Sequence, residues 1–192
     1  MFERLAGVIL IGFVIKMMDD FLDREIDILQ EDWNLTSVLK KGILPYSLVI
    51  MIFALHLNFA ESVSYFSASY LLGMSSTAAD KLPSRLRGWQ EGLILIVIAI
   101  YLTSLREVIT SIILVLILQF VDDYLDYKKE IYIKKDNLIN KLGHLNGLII
   151  FIILFILVFN FCLLKMIYFS LASCIIYLSL WLLKKYQIGR LI

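Results

Sequence analysis

The sequence predicts an all-α fold: a polytopic transmembrane bundle of about seven helices. Three observations carry that prediction. The 192 residues are 60% hydrophobic and their mean hydropathy is +0.85, too apolar for a water-soluble domain of this length. The apolar residues gather into long runs, at about 4–20, 41–58, 61–76, 89–104, 106–122, 144–163 and 167–184. The basic residues fall mostly on one alternate set of the intervening loops.

The first run follows Met1-Phe-Glu-Arg and has no small-residue cleavage site, so it reads as a retained helix. Most runs are somewhat shorter than the roughly 20 residues that span a bilayer, so their ends extend into polar flanks. Two breaks are very short: Asn58-Phe-Ala-Glu61 and Thr103-Ser-Leu-Arg-Glu107. They predict tight helical hairpins, because backbone in lipid must satisfy its hydrogen bonds internally. The opposite loops are punctuated by Gly42 and Pro45, Pro83 and Gly88, and Gly143 and Gly147.

Loops 21–40, 77–88, 123–143 and the segment from 184 hold most of the Lys and Arg, whereas Arg4, Arg106 and Lys165 stand on the other side. The positive-inside rule predicts an integral, multi-pass membrane protein with the basic loops cytoplasmic and residue 1 outside. Net charge is only +1, which gives no support to a nucleic-acid partner. Cys162 and Cys174 sit inside apolar runs and read as packed small hydrophobes rather than disulfide or zinc partners.

Two acidic words close two of these runs. The first is Asp19-Asp20-Phe21-Leu22-Asp23, continued to Asp27; the second is Asp122-Asp123-Tyr124-Leu125-Asp126, continued to Glu130. Both read DDxxDxxx(D/E), and Asp20 and Asp123 lie 103 residues apart. Each is followed by a polar loop, a Lys near a Gly and a helical hairpin, so the chain carries a faint internal repeat. On helices, Asp20, Asp23 and Asp27 share one face, and so do Asp122, Asp126 and Glu130. Such combs of carboxylate repel one another near the negative end of a helix dipole. Mg²⁺ would relieve both strains, taking carboxylates on one side and phosphate oxygens on the other. The plainer alternative is a pair of solvated acidic loops; two copies of one spacing on one membrane side disfavour it, since an ionisable cluster at a membrane marks a functional site. Lys16 and Gln119 stand one turn before the words, and for each pairing with the nearest Asp is favoured over phosphate contact. His56 and Asn160 are predicted to make interhelical hydrogen bonds. No nucleophile–base constellation, glycine-rich phosphate loop or zinc motif is present.

The stretch Asp19-Asp-Phe-Leu-Asp-Arg-Glu-Ile-Asp27 resembles the first aspartate-rich motif, NDxxDxxxD, of the UbiA superfamily of intramembrane prenyltransferases. Asp122 and Asp126 resemble its second motif, DxxxD, and Tyr70-Leu-Leu through Lys81 to Arg87-Gly88 looks like its central cytoplasmic loop. The resemblance implies one transmembrane prenyltransferase-like domain over residues 1–192, with its helices around a central cavity. The seven runs correspond to the family's second through eighth helices, so its first and last have no counterpart here. Asp19 replaces the family's Asn, and Thr77 stands where a Tyr is usual. A homo-oligomer would re-wall a bundle of this size.

The expected function is Mg²⁺-dependent ionisation of a polyprenyl diphosphate and transfer of the prenyl group to a lipid-soluble, aromatic acceptor. One Mg²⁺ is expected on Asp20, Asp23 and Asp27 and a second on Asp122 and Asp126, with Asp19, Asp123 and Glu130 assisting. Arg24, Lys81 and Arg85 are the expected diphosphate-binding residues. Phe13, Phe53, Tyr65, Phe66, Tyr70 and Phe120 are candidates to shield the allylic cation. Two readings compete: a membrane terpene synthase that acts on the diphosphate alone, and a non-catalytic polyprenyl-lipid-binding relative.

Overall fold

A computed structural model of the chain describes residues 2–24, 33–73, 82–130 and 142–191, with the side chains of 125–130, 144 and 187–191 outside the description. All regular structure among the described residues is helical: α1 (Phe2–Leu22), α2 (Leu35–Leu39), a 3-10 turn (Lys40–Gly42), α3 (Ile43–Leu57), α4 (Phe59–Gly73), α5 (Gly88–Leu102), α6 (Leu105–Glu130) and α7 (His144–Leu191). Two stretches are long and apolar enough to cross a membrane, Leu35–Leu57 and Leu145–Tyr186, and Gly88–Leu102 is a shorter apolar helix.

The two predicted hairpins form, and polar side chains make the turns. The amide of Asn58 caps α3 by donating to the Ala54 carbonyl at 3.0 Å, while its side-chain oxygen accepts from the Glu61 amide at 3.1 Å and opens α4. One residue therefore ends one helix and starts the next. At the second hairpin the Thr103 amide donates to the Ala99 carbonyl and Ser104 Oγ accepts from the Glu107 amide at 3.2 Å. The last two predicted runs, 144–163 and 167–184, form the two helical arms of α7, which meet at a kink at Cys162 (φ −157°, ψ 66°), close to the expected break. Asn160, predicted to bond across helices, instead donates to the Ile156 carbonyl of its own helix at 2.9 Å.

The chain divides into two compact units: Met1–Phe66 with Ile167–Ile192, and Ser67–Met166. In the first, α1 packs on α3. Gly7 permits their approach, since a Cβ there would meet Asn58 Cβ at 3.1 Å. Its core is Met17, Leu35, Ile43, Ile176 and Leu180, flanked by Phe13 and Trp33, and Tyr65 stacks on Phe169 at 5.3 Å. In the second unit α5 lies against α4 through Gly92, where a Cβ would meet Leu71 Cδ1 at 2.7 Å and Cα at 3.3 Å.

Each unit also buries an ion pair. Arg4, in the first turn of α1, pairs with Glu61, in the first turn of α4. Lys165 donates to the Glu107 carboxylate at 2.5 Å and to its carbonyl at 2.8 Å. Arg106 donates to the Phe161 carbonyl at 2.5 Å.

Candidate functional site

The first acidic word sits at the C-terminal end of α1, which stops at Leu22. The comb is therefore not one continuous helix: Asp23 lies at a bend, although its amide still donates to the Asp19 carbonyl at 2.9 Å and keeps the helical turn closed. Asp27 and Lys81 lie outside the described residues.

The two leading carboxylates have different surroundings. Asp19 is exposed, whereas Asp20 is only 6% exposed. Lys16, one turn back, reaches both, with Nζ 2.9 Å from Asp19 Oδ2 and 2.9 Å from Asp20 Oδ1, so the expected pairing with the nearest Asp forms. The other Asp20 oxygen accepts from the Leu35 amide at 2.8 Å, and the Asp20 carbonyl accepts from Asn34 Nδ2 at 2.6 Å. Asn34 in turn caps α2, accepting from the Thr36 amide at 2.6 Å. Asp20 thus ties the end of α1 to the start of α2, a structural task that sequence reasoning missed. Asn34-x-Thr36 is legible as a helix cap; its bond back to Asp20, across ten and more residues of chain, has no local signature.

The second word lies wholly within α6, which runs to Glu130. Asp122 and Asp123 are half-buried and both are engaged in interactions. Asp126 and Glu130 keep the predicted i, i+4 and i+8 register with Asp122 on the helix backbone. The first word belongs to the first unit and the second word to the second unit. Among the described residues no three His, Cys, Asp or Glu side chains are grouped to hold one ion.

The donor chemistry nevertheless fits a hard cation. Asp19 and Asp20 already converge on a single positive charge, the Lys16 ammonium, and carboxylate oxygens are the ligands Mg²⁺ prefers.

Arg24 is exposed and lines a cavity of about 980 Å³ with Thr36, Ser37, Lys40, Lys41 and Tyr46. Arg85 is exposed at φ 67°, in a turn that the Arg85 amide closes onto the Leu82 carbonyl at 2.8 Å. It is on no helix, in keeping with its expected place in the central loop. The aromatic residues divide as well. Tyr65 and Phe120 are buried, Phe13 packs on the core, and Phe53 is 58% exposed. Tyr70 donates to Glu91 at 2.6 Å, and Ser84 donates to the other oxygen of the same carboxylate. This Tyr70–Glu91–Ser84 link pins the 82–87 turn to α5 and was not foreseen.

No family model, curated protein or solved structure matches the chain.

Proposed function

We propose that this chain is an integral membrane prenyltransferase in which the two acidic words grip the diphosphate of a polyprenyl diphosphate. The observation that carries the reading is a shared register. Asp20 and Asp123 each lie 18 residues beyond the first residue of their helices, α1 and α6. At about 1.5 Å per residue that is about 27 Å of helix, close to the roughly 30 Å hydrocarbon core. Each word then lies about one hydrocarbon core beyond the start of its own helix, as a span that ends at the cytoplasmic face requires.

The outer surface supports membrane insertion. Ile52, Val97, Leu145, Phe161, Leu164 and Leu178 are each more than half exposed, and apolar surface on this scale marks contact with lipid or a partner. A seven-span bundle follows if each arm of α7, before and after Cys162, crosses separately.

In this reading Asp20, Asp23 and Asp27 hold one Mg²⁺ and Asp122 and Asp126 the other, assisted by Asp19, Asp123 and Glu130. Bound Mg²⁺ neutralises charge on the departing diphosphate. Asp20 offers only Oδ1, because Oδ2 is committed to Leu35. Lys16 holds Asp19 and Asp20 together until the substrate arrives. Arg24, Lys81 and Arg85 orient the diphosphate by charge-assisted hydrogen bonds. The bond from the prenyl C1 to the diphosphate oxygen breaks with its electron pair leaving on oxygen. The allylic cation is captured by a lipid-soluble aromatic acceptor, which then loses a proton. Apolar walls exclude water, which would otherwise quench the cation.

A second reading is favoured by one observation: Asp20 is buried in a fold-stabilising contact. A non-catalytic polyprenyl-lipid-binding relative would keep that residue for stability alone.

The test is diphosphate release from labelled geranylgeranyl diphosphate, with Mg²⁺ and with chelator, in the parent chain, Asp23→Ala and Asp126→Ala. Metal-dependent release lost in both variants is expected. Equal release in all three removes the metal assignment. No release from the parent with any acceptor leaves the lipid-binding reading, and a hydrocarbon product without acceptor indicates a terpene synthase.

A further inference from the structure

The cavity beside the first acidic word has a chemistry of its own. Its lining brings Arg24, Lys40 and Lys41 together with the hydroxyl-bearing Thr36 and Ser37, and among the described residues it includes no carboxylate. Of the described carboxylates before Arg24, Asp19 is held by Lys16, Asp20 by Lys16 and the Leu35 amide, and Asp23 is half-buried with an interaction of its own. Three like charges on one concave surface repel unless an anion joins them. The backbone adds a second observation: Lys40 has φ 49° and ψ −125°, a conformation that costs a side-chain-bearing residue energy and persists where surroundings or function require it. The same lining is partly apolar: Phe21, Leu44 and Tyr46 are 37%, 37% and 55% exposed beside the exposed cations. Cations and apolar or aromatic groups side by side on one surface match a phosphate that carries acyl chains.

We propose that this cavity binds the headgroup phosphate of an anionic phospholipid and thereby fixes the ends of α1 and α3 to one leaflet. The cations take the phosphate oxygens, and Phe21, Leu44 and Tyr46 meet the first acyl carbons. A free phosphate would satisfy the cations but leave those three unused. The proposal rests on the membrane reading; because the cavity shares Arg24 with the proposed diphosphate site, it is tested on Lys40 and Lys41 and without any prenyl substrate.

The experiment uses the full chain in phosphatidylcholine nanodiscs containing a minority of phosphatidylglycerol. The protein is released and its retained lipid is weighed by native mass spectrometry. Preferential retention of phosphatidylglycerol is expected. Lys41→Gln, which leaves the strained Lys40 in place, should weaken that preference about fivefold, and Lys40→Gln with Lys41→Gln about thirtyfold. Lys184→Gln with Lys185→Gln removes the same charge outside the cavity and should leave it unchanged. An equal loss in both double variants would overturn the site in favour of diffuse surface charge, and an unchanged preference in all variants would overturn it outright. Inorganic pyrophosphate bound by the parent in pure phosphatidylcholine, and not by the Lys40/Lys41 variant, would overturn the lipid assignment in favour of a soluble phosphate. A chain that stays soluble without lipid or detergent would sink the membrane reading itself, separately from these outcomes.

Discussion

Arg4 and Glu61 form an ion pair in which the Glu61 side chain is only 2% exposed, and the guanidinium also lies 5.5 Å from the centroid of the Tyr168 ring. The chain makes the same kind of link again with the charges exchanged. Glu107 stands 103 residues after Arg4, Lys165 stands 104 after Glu61, and these two also pair. The offset is that of the acidic words. Each half therefore joins the first turn of its word-bearing helix to a residue just after a later helix break, the Asn58 turn in one and the Cys162 kink in the other. Polarity is free to invert because only the opposite sign across the pair matters. Arg4→Met should cost about 3 kcal/mol, because it strands a buried carboxylate. Arg4→Glu combined with Glu61→Arg should recover most of that loss. Denaturant unfolding in detergent micelles, run as a double-mutant cycle, measures both.

The second pair is unequal in burial, and its variants should be unequal too. Lys165 is 0% exposed, whereas the Glu107 side chain is 29% exposed. Removing Glu107 leaves an ammonium where water does not reach, with the Glu107-position carbonyl still 2.8 Å away in the parent geometry. Removing Lys165 leaves a carboxylate that water can solvate. Glu107→Ala should therefore cost about 3 kcal/mol and Lys165→Met about half as much. The same unfolding assay decides it, and a reversed order would contradict the burial argument.

Much of the helical plan is legible in sequence, because it depends on composition and on local turn chemistry. The runs locate the helices, and the Asn58 and Thr103-Ser104 breaks mark the hairpins, since those side chains cap within a few residues. Lys16 pairs as its one-turn spacing predicts. What escapes is long-range. Nothing near Asp20 announces the Leu35 amide, and nothing near Lys165 announces Glu107. The break between the runs 144–163 and 167–184 is marked in sequence by Lys165, but no Gly or Pro fixes it at Cys162. Asn160 fails for another reason: a side chain that bonds the carbonyl four residues back satisfies itself without a partner helix.

Lys40 offers a direct test of backbone strain. Its positive φ suits glycine, which has no Cβ to clash. Lys40→Gly should raise stability by about 1 kcal/mol, even though it removes a charge beside Arg24 and Lys41. A rise in the unfolding midpoint checks it. A fall would mean that the lysine side chain contributes more than its backbone costs.

Asp20 and Asp23 separate structure from chemistry within one acidic word. Asp20 Oδ2 receives the Leu35 amide and Oδ1 the Lys16 ammonium, and its carbonyl receives Asn34. Asp20→Ala deprives a buried amide of its partner and Lys16 of one of its two carboxylates, so it should cost about 3 kcal/mol. Asp20→Asn keeps an oxygen for Leu35 and loses only the charge, so about half that cost is expected. Asp23 is half-buried at the bend beyond α1 and engaged there, so Asp23→Ala should cost about 1 kcal/mol, less than either Asp20 variant. If the word serves catalysis, Asp23→Ala and Asp20→Asn both lose diphosphate release beyond what their stability changes explain. If the word is only structural, activity is absent throughout and the stability order Asp23→Ala, Asp20→Asn, Asp20→Ala still holds. Unfolding midpoints measured beside diphosphate release on the same preparations tell the two apart.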